Sequence, residues 1–232
     1  MNDELKVTRN GQILEVTLDR PKANAIDAAT STAMGQVFSD FRDDNDLRVA
    51  ILTGGGDRFF SAGWDLKAAA EGESYDSDYG VGGFGGINEL FDLNKPVIVA
   101  MNGHAIGGGF ELALAADIAL AAEGTVFIIP EVELGVPYLW GSTAMLAASL
   151  GMHRARNLVL GCDRFSAEDA ERWGLVRAVL PAGELMPEAE KLARRLAAMP
   201  RHAMAAQKRL NNRLALRYMA WLEDEISLFL DG

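Results

Sequence analysis

Apolar and polar residues alternate with a period of two in KVTR and again in ILEVTLD. Asn10-Gly11, a dipeptide suited to a type I′ turn, lies between these runs, so the chain is predicted to open with a β-hairpin whose Leu14, Val16 and Leu18 share one face. After the loop PKANAI the period lengthens. Asp27 offers an N-cap, and Met34, Val37, Phe38 and Phe41 recur at helical spacing, predicting a helix to about Phe41. RVAILTG reads as a buried strand; the glycine loop GGGDRFFSAGWD and a short helix at Leu66 to Ala70 follow it. Glu71 to Gly86 is polar, ends in GVGGFGG and has no hydrophobic period, which predicts a mobile loop. A helix (INELFDL), a buried strand (PVIVAMNG), a glycine turn (HAIGGG), an alanine-rich helix (FELALAA) and strands in DIALAA and TVFII come next. From Gly141 the pattern is helical almost throughout, with Ser166 and Asp169 as a capping pair, one strand in VRAVL and two long helices after Pro181. The expected organisation is a β/α part, residues 1–190, followed by a helical region, residues 191–232.

Length and composition place few further limits. With 232 residues, 49% hydrophobic, the chain has enough apolar material for one large domain or two small ones, which argues against disorder. A net charge of −11 biases it against nucleic acid and anionic membrane surfaces, so an anionic ligand must be held locally. The charge is uneven. Eight basic residues and no acid fall between Lys191 and Leu222, with Arg209, Arg213 and Arg217 on one helix face. That face suits solvent or a contact with acidic neighbours better than RNA in so acidic a chain. One cysteine, Cys162, forms no internal disulfide and no CxxC pair, and three scattered histidines supply no metal-type spacing. The N-terminus lacks the apolar stretch of a secretory signal, and LALAADIALAA is well short of the ~20 residues of a membrane span. The chain therefore reads as cytoplasmic.

Chemistry is concentrated in three places. Gly80, Gly82 and Gly85 formally satisfy G-x-G-x-x-G, but they follow SYDSDY rather than a strand, against the context a dinucleotide fingerprint requires. P-loop and G-x-S-x-G motifs are absent. Gly107-Gly108-Gly109 is a stronger candidate because it joins a buried strand to a helix, where unpaired N–H donors and the helix dipole favour developing negative charge. Glu111 lies about one turn after Gly108. Glu131 leaves the apolar run TVFIIP, and a carboxylate in such surroundings gains a raised pKa suited to acid/base work. A packing turn with a solvated Glu111, and a Glu131 that caps the next helix, are the plainer alternatives. SAGWD offers a second small-residue turn, with Trp64 as backbone donor or packing aromatic.

Together, RPKANAID, FFSAGWDLK, KPVIVAMNGHAIGGGFELALAAD and IIPEVELG resemble the crotonase (enoyl-CoA hydratase/isomerase) superfamily, almost without interruption from Leu5 to Gly135. The resemblance implies an α/β fold, a ββα spiral with a helical C-terminal trimerisation region, and an acyl-CoA thioester substrate. It implies a homotrimer or dimer of trimers, and no cofactor beyond the coenzyme A of the substrate. By the same resemblance, the N–H groups of Trp64 and Gly108 hold the thioester oxygen, Glu111 holds water and Glu131 moves the proton at the substrate Cα. Lys22, Ala23, Ala25, Ala62, Asp65, Leu66, Lys67 and Gly107 line the CoA moiety. Two acids favour hydration or dehydration over a 3,2-enoyl-CoA isomerase, a thioester hydrolase or a retired CoA- or RNA-binding trimer. Two departures stand out. Tyr138, Leu139 and Trp140 are bulky where hydratases of the family carry proline and small residues, and the chain stops at LEDEISLFLDG, short of the family's terminal helix.

Overall fold

The computed structural model describes residues 4–138 and 142–219. The opening hairpin forms as the alternation predicts: β1 (Leu5–Asn10) pairs antiparallel with β2 (Ile13–Leu18), and Gly11 takes the left-handed φ of +60° at the turn. β3 (Ala25–Ile26) leads into α1 (Ala28–Asp43), whose N-cap Asp27 accepts from the Thr30 N–H at 2.7 Å. β4 (Val49–Gly54), β5 (Phe59–Ser61), β6 (Gly63–Trp64) and α2 (Leu66–Ala70) follow. Next come β7 (Val97–Met101), β8 (His104–Ile106), α3 (Gly108–Ala115), β9 (Ile118–Ala122) and β10 (Val126–Ile128). The remainder is mainly helical, in the order α4 (Ser142–Leu150), α5 (Met152–Gly161), β11 (Phe165–Ser166), α6 (Ala167–Trp173), β12 (Ala178–Leu180), α7 (Ala182–Ala197) and α8 (Arg201–Met219). Ser166 and Asp169 make the expected reciprocal capping box at α6.

Successive turns of the chain give one strand to a six-stranded sheet, ordered β1-β2-β4-β7-β9-β12, and another to smaller sheets, ordered β11-β10-β8-β5 and β3-β6. The large sheet is parallel beyond the hairpin and buried on both faces, which explains the continuous apolar runs RVAIL and PVIVA. Ala50 and Leu52 of β4 point into a core shared with α1 and α3; Val49 and Ile51 point to a second core roofed by α7.

Three expectations change. INELFDL forms turns rather than a helix, because a stretch that short, between Gly86 and Pro96, nucleates no stable helix while turns still bury Ile87, Leu90 and Leu93. HAI is strand, not turn. The segment from Glu71 to Gly86 divides: its first half is largely exposed, whereas Tyr79 and Gly82 to Gly86 are buried, and a 3-10 turn at Phe84–Gly86 lies directly on the α1 backbone. A Cβ at Gly35 would run into the Val81 carbonyl. Gly35→Ala is therefore expected to cost about 1–3 kcal/mol by overpacking, read as a lower urea midpoint at unchanged m.

The basic tail is partly consumed by the fold. Lys208 Nζ donates to Asp117 and to the Lys95 carbonyl, both at 2.7 Å, and Arg201 donates to the Asn45 carbonyl. Arg209, Arg213 and Arg217 are exposed. Among the described residues no helix is long and apolar enough to cross a membrane.

Candidate active site

The turn that opens α3 owes its shape to close approaches on every side. Gly107 sits at φ 50°, ψ −120°, disfavoured for any side chain, and its N–H is bonded to the Ile128 carbonyl at 2.9 Å. A Cβ here would enter the Glu131 carboxylate; one on Gly108 would lie 2.5 Å from Phe84 Cε1. The first amides of α3 have no acceptors within the helix and are available to an outside group. The SAGWD turn lies against them. Gly63, at φ +78°, is so close that a Cβ would stand 2.5 Å from the Ile106 carbonyl oxygen and 2.8 Å from Gly108 N. Parallel pairing of β3 with β6 (Ala25 with Gly63, Ile26 with Trp64) fixes the Trp64 backbone in this position.

Both carboxylates predicted from the sequence reach one small recess, lined among the described residues by Trp64, Tyr75, Tyr79, Phe84, Gly108, Glu111 and Glu131. Glu111, in the first turn of α3, is 2% exposed. Glu131 follows β10 in a series of turns and caps no helix; Glu133, two residues on, is exposed. Burial pushes the Glu131 pKa up to about 7, and its Oε2 has no hydrogen-bond partner among the described residues.

The aromatic wall escaped sequence reasoning. Trp64 Nε1 donates to Glu73 Oε1 at 3.0 Å, while Glu73 Oε2 accepts from the Ala28 N–H, so one carboxylate ties the Trp64 ring to the start of α1. Tyr75 meets Trp64 edge-on at 5.1 Å and donates its hydroxyl to the Pro137 carbonyl. Tyr79 meets Phe84 edge-on at 5.4 Å. Burial, then the charges of Glu73, Asp76 and Glu111, raise the Tyr79 phenol pKa, keeping it protonated. The only sequence signal was aromatic residues set in an otherwise polar and glycine-rich run, SYDSDYGVGGF.

The residues assigned to CoA form a surface beside Trp64. Ala62 N–H bonds the Ala23 carbonyl, Ala23, Ala25 and Ala62 are half-buried, and Lys22, Leu66 and Lys67 are exposed. Asp65 faces inward instead. Arg20 bonds Asp65 and Asp27 at 2.6 Å each, Glu4 at 3.1 Å and the Ala25 carbonyl at 2.9 Å. Burial opposes the Asp65 charge, but Arg20 and the Lys67 N–H outweigh it and hold the carboxyl below its ordinary range. Arg20, which sequence reasoning passed over, thus joins β3 and the segment after Trp64. Of the bulky trio, Tyr138 is buried in the main core and does not line the recess; Leu139 and Trp140 lie outside the described residues.

Residues 8–231 match the family model described as enoyl-CoA hydratase/isomerase. The chain belongs to that family. It is 56% identical over 210 residues to carnitinyl-CoA dehydratase of Salmonella typhi, covering 90% of this chain and 80% of that protein. Its structure resembles carnitinyl-CoA hydratase from Mycobacterium avium, at 34% identity and TM-score 0.87, over 100% of this chain and 92% of that one. Enoyl-CoA hydratase from Mycobacterium tuberculosis H37Rv matches at 32% identity and TM-score 0.87, over 99% of this chain and 100% of that one. The fold is thus crotonase-like, with its winding strands and helical C-terminal region. β8 and β10 finish side by side, with Ile106 beside Ile128, so the Gly107–Gly109 turn and the path to Glu131 leave the sheet together, and the Trp64 turn lies against them.

Proposed function

We propose that this chain is a hydro-lyase that removes water from a 3-hydroxyacyl-CoA thioester, or adds it to the 2-enoyl thioester, and that carnitinyl-CoA is its type of substrate. The observation that carries this reading is the convergence of Glu111 and Glu131 on one recess beside the Gly108 amide. Relatives named for carnitinyl-CoA support the substrate.

In the dehydration direction, Glu131 takes a proton from the carbon next to the thioester carbonyl. Negative charge grows on the thioester oxygen, and the Trp64 and Gly108 N–H groups stabilise it by about 3 kcal/mol each. Glu111 then protonates the departing hydroxyl, which leaves as water. Hydration is the same path reversed. The CoA moiety lies along Ala23, Ala25, Ala62 and Leu66, with Lys22 and Lys67 positioned for its phosphates. Asp65 supports this surface through Arg20 rather than touching the ligand. Gly107 keeps the opening of α3 close to Glu131.

The test is turnover of carnitinyl-CoA and 3-hydroxybutanoyl-CoA by wild-type enzyme in ¹⁸O-labelled water, following both the enoyl thioester and oxygen exchange. Enoyl product, together with label at C3 of the 3-hydroxyacyl thioester recovered from the mixture, is the expected result. With 3-butenoyl-CoA as a third substrate, migration of its double bond alongside no loss of water from the hydroxy thioesters points instead to an isomerase, and release of free CoA thiol to a hydrolase. Absence of all three alongside retained CoA binding overturns catalysis itself.

A further inference from the structure

Arg20 lies in the stretch between β2 and β3, and every nitrogen of its guanidinium donates: Nε to Glu4, Nη1 to Asp65 and to the Ala25 carbonyl, and Nη2 to Asp27. A planar fork of fixed N–H donors can meet three carboxylates and a carbonyl at once, which an ammonium on a flexible stem does poorly. The side chains of Arg20 and Asp65 are 19% and 15% exposed, so water does little to loosen the bond between them. The other oxygen of each aspartate is committed as well. Asp27 Oδ1 accepts from the Thr30 N–H as the cap of α1, and Asp65 Oδ1 accepts from the Lys67 N–H as the cap of α2. Arg20 therefore bolts the beginnings of two helices together, and one of them starts directly after Trp64.

The Asp65 N–H is bonded to the Ile26 carbonyl of β3 at 2.9 Å. The Trp64 N–H, one residue back in extended chain, therefore points away from β3, to the edge of β6 where no strand pairs among the described residues. β3 and β6 are two residues long each, too short to fix that direction alone. Trp64 is held from both sides instead. Its indole donates to Glu73, whose other oxygen accepts from the Ala28 N–H, while its neighbour Asp65 is tied through Arg20 to Asp27. Asp27 and Ala28 are adjacent, so the two links close a ring around Trp64. A donor to developing charge is worth most when its direction is fixed before the charge forms. We propose that Arg20 is a positioning residue for the reaction, which through Asp65 aims the Trp64 N–H at the thioester oxygen. This rests on the reading of Trp64 as donor to that oxygen, and on the hydro-lyase reading only for its kinetic readout.

The test reads the donor directly. Butanoyl-CoA labelled with ¹³C at the thioester carbonyl has no hydroxyl to lose and no double bond to hydrate, and its carbonyl band in isotope-edited infrared spectra falls in frequency as hydrogen bonding to the oxygen strengthens. Bound to wild type, the band is expected below its position in water. In Arg20→Met, and in Asp65→Asn, where asparagine still caps α2, it is expected to return toward that position. In both variants kcat for dehydration of carnitinyl-CoA is expected to fall about 10- to 100-fold, with KM moving less than about threefold. Arg20→Lys, which keeps the charge but not the fork, is expected between wild type and the methionine variant. Arg42→Met, which removes ion pairs to Asp43 and Asp92 at the other end of α1, is expected to leave band and kcat unchanged. A wild-type band no lower than in water, or a folded Arg20→Met with the wild-type band, overturns the proposal. Where circular dichroism shows Arg20→Met unfolded, Asp65→Asn decides, and a wild-type band and kcat in that variant overturn it equally. Should wild type dehydrate no thioester while the band still depends on Arg20, the hydro-lyase reading falls and the positioning role stands. Should it dehydrate with a band indifferent to Arg20 and Asp65, the reverse holds.

Discussion

Glu131→Gln is expected to lower kcat for dehydration about 10²- to 10⁴-fold with little change in KM, because glutamine keeps the shape and polarity of the side chain but takes no proton. The pH profile gives the sharper signature. With a pKa of about 7, Glu131 is poised to act in both directions near neutrality. Dehydration needs the carboxylate, so its rate rises with pH and levels off above about 7; hydration needs the acid form and declines over the same interval. Both limbs disappear in the glutamine variant. Stability runs the other way from activity. A carboxyl whose folded pKa is raised contributes stability below its unfolded pKa near 4.5, and this is lost as pH climbs through about 7. Glutamine, which never ionises, is therefore expected to leave the protein at least as resistant to urea at pH 8 as wild type. A folded variant that keeps wild-type activity contradicts the assignment, and one less resistant to urea at pH 8 contradicts the stability argument.

Why Glu131 meets Glu111 was not legible in the spacing of the sequence. It follows from pairing register: β8 and β10 run parallel with Ile106 beside Ile128, so the chain leaves both strands at the same end. The Gly107 turn carries one path into α3 and thus to Glu111, while the other continues through Pro130 to Glu131. Local patterns showed β10 but read HAI as a turn, and the parallel pairing of two segments distant in sequence leaves no local signal. The hairpin and α1 were readable for the opposite reason, since a turn dipeptide, a capping aspartate and a regular apolar stripe are all local signals.

The segment from Glu71 to Gly86 shows the limit most clearly. Glycines declare backbone freedom, but they do not distinguish a chain that is loose from one that must lie tightly on another backbone, and here Gly35 and Gly86 serve close approach. Tyr75, Tyr79 and Phe84 have no period because they share no regular element: Tyr75 lies in a turn, Tyr79 in irregular chain and Phe84 in a 3-10 turn. Their common destination is set by Trp64 and Gly108, and by the Glu73 link back to α1. The same holds for the carboxylate of Asp65, which Arg20, distant in sequence, turns inward.

Gly63→Ala is expected to lower kcat about 10²- to 10³-fold, the loss of one preorganised donor to the thioester oxygen. Its added methyl group stands where the Ile106 carbonyl and the amides of Gly108 and Gly109 already lie, at 2.5, 2.8 and 3.1 Å, so the turns bearing Trp64 and Gly108 must part. All three obstacles are backbone atoms and none can swing aside as a side chain would. The substitution also forces alanine to a φ of +78°, a conformational cost of about 1–2 kcal/mol that is unrelated to catalysis. Gly56→Ala separates the two effects, since Gly56 has the same φ of +78° but open space where its Cβ would stand. It is expected to lose comparable stability and to retain wild-type kcat. Because the displaced amides act on charge that exists only in the transition state, KM for the Gly63 variant should move far less than kcat. Full activity in folded Gly63→Ala would show that the thioester oxygen is held elsewhere.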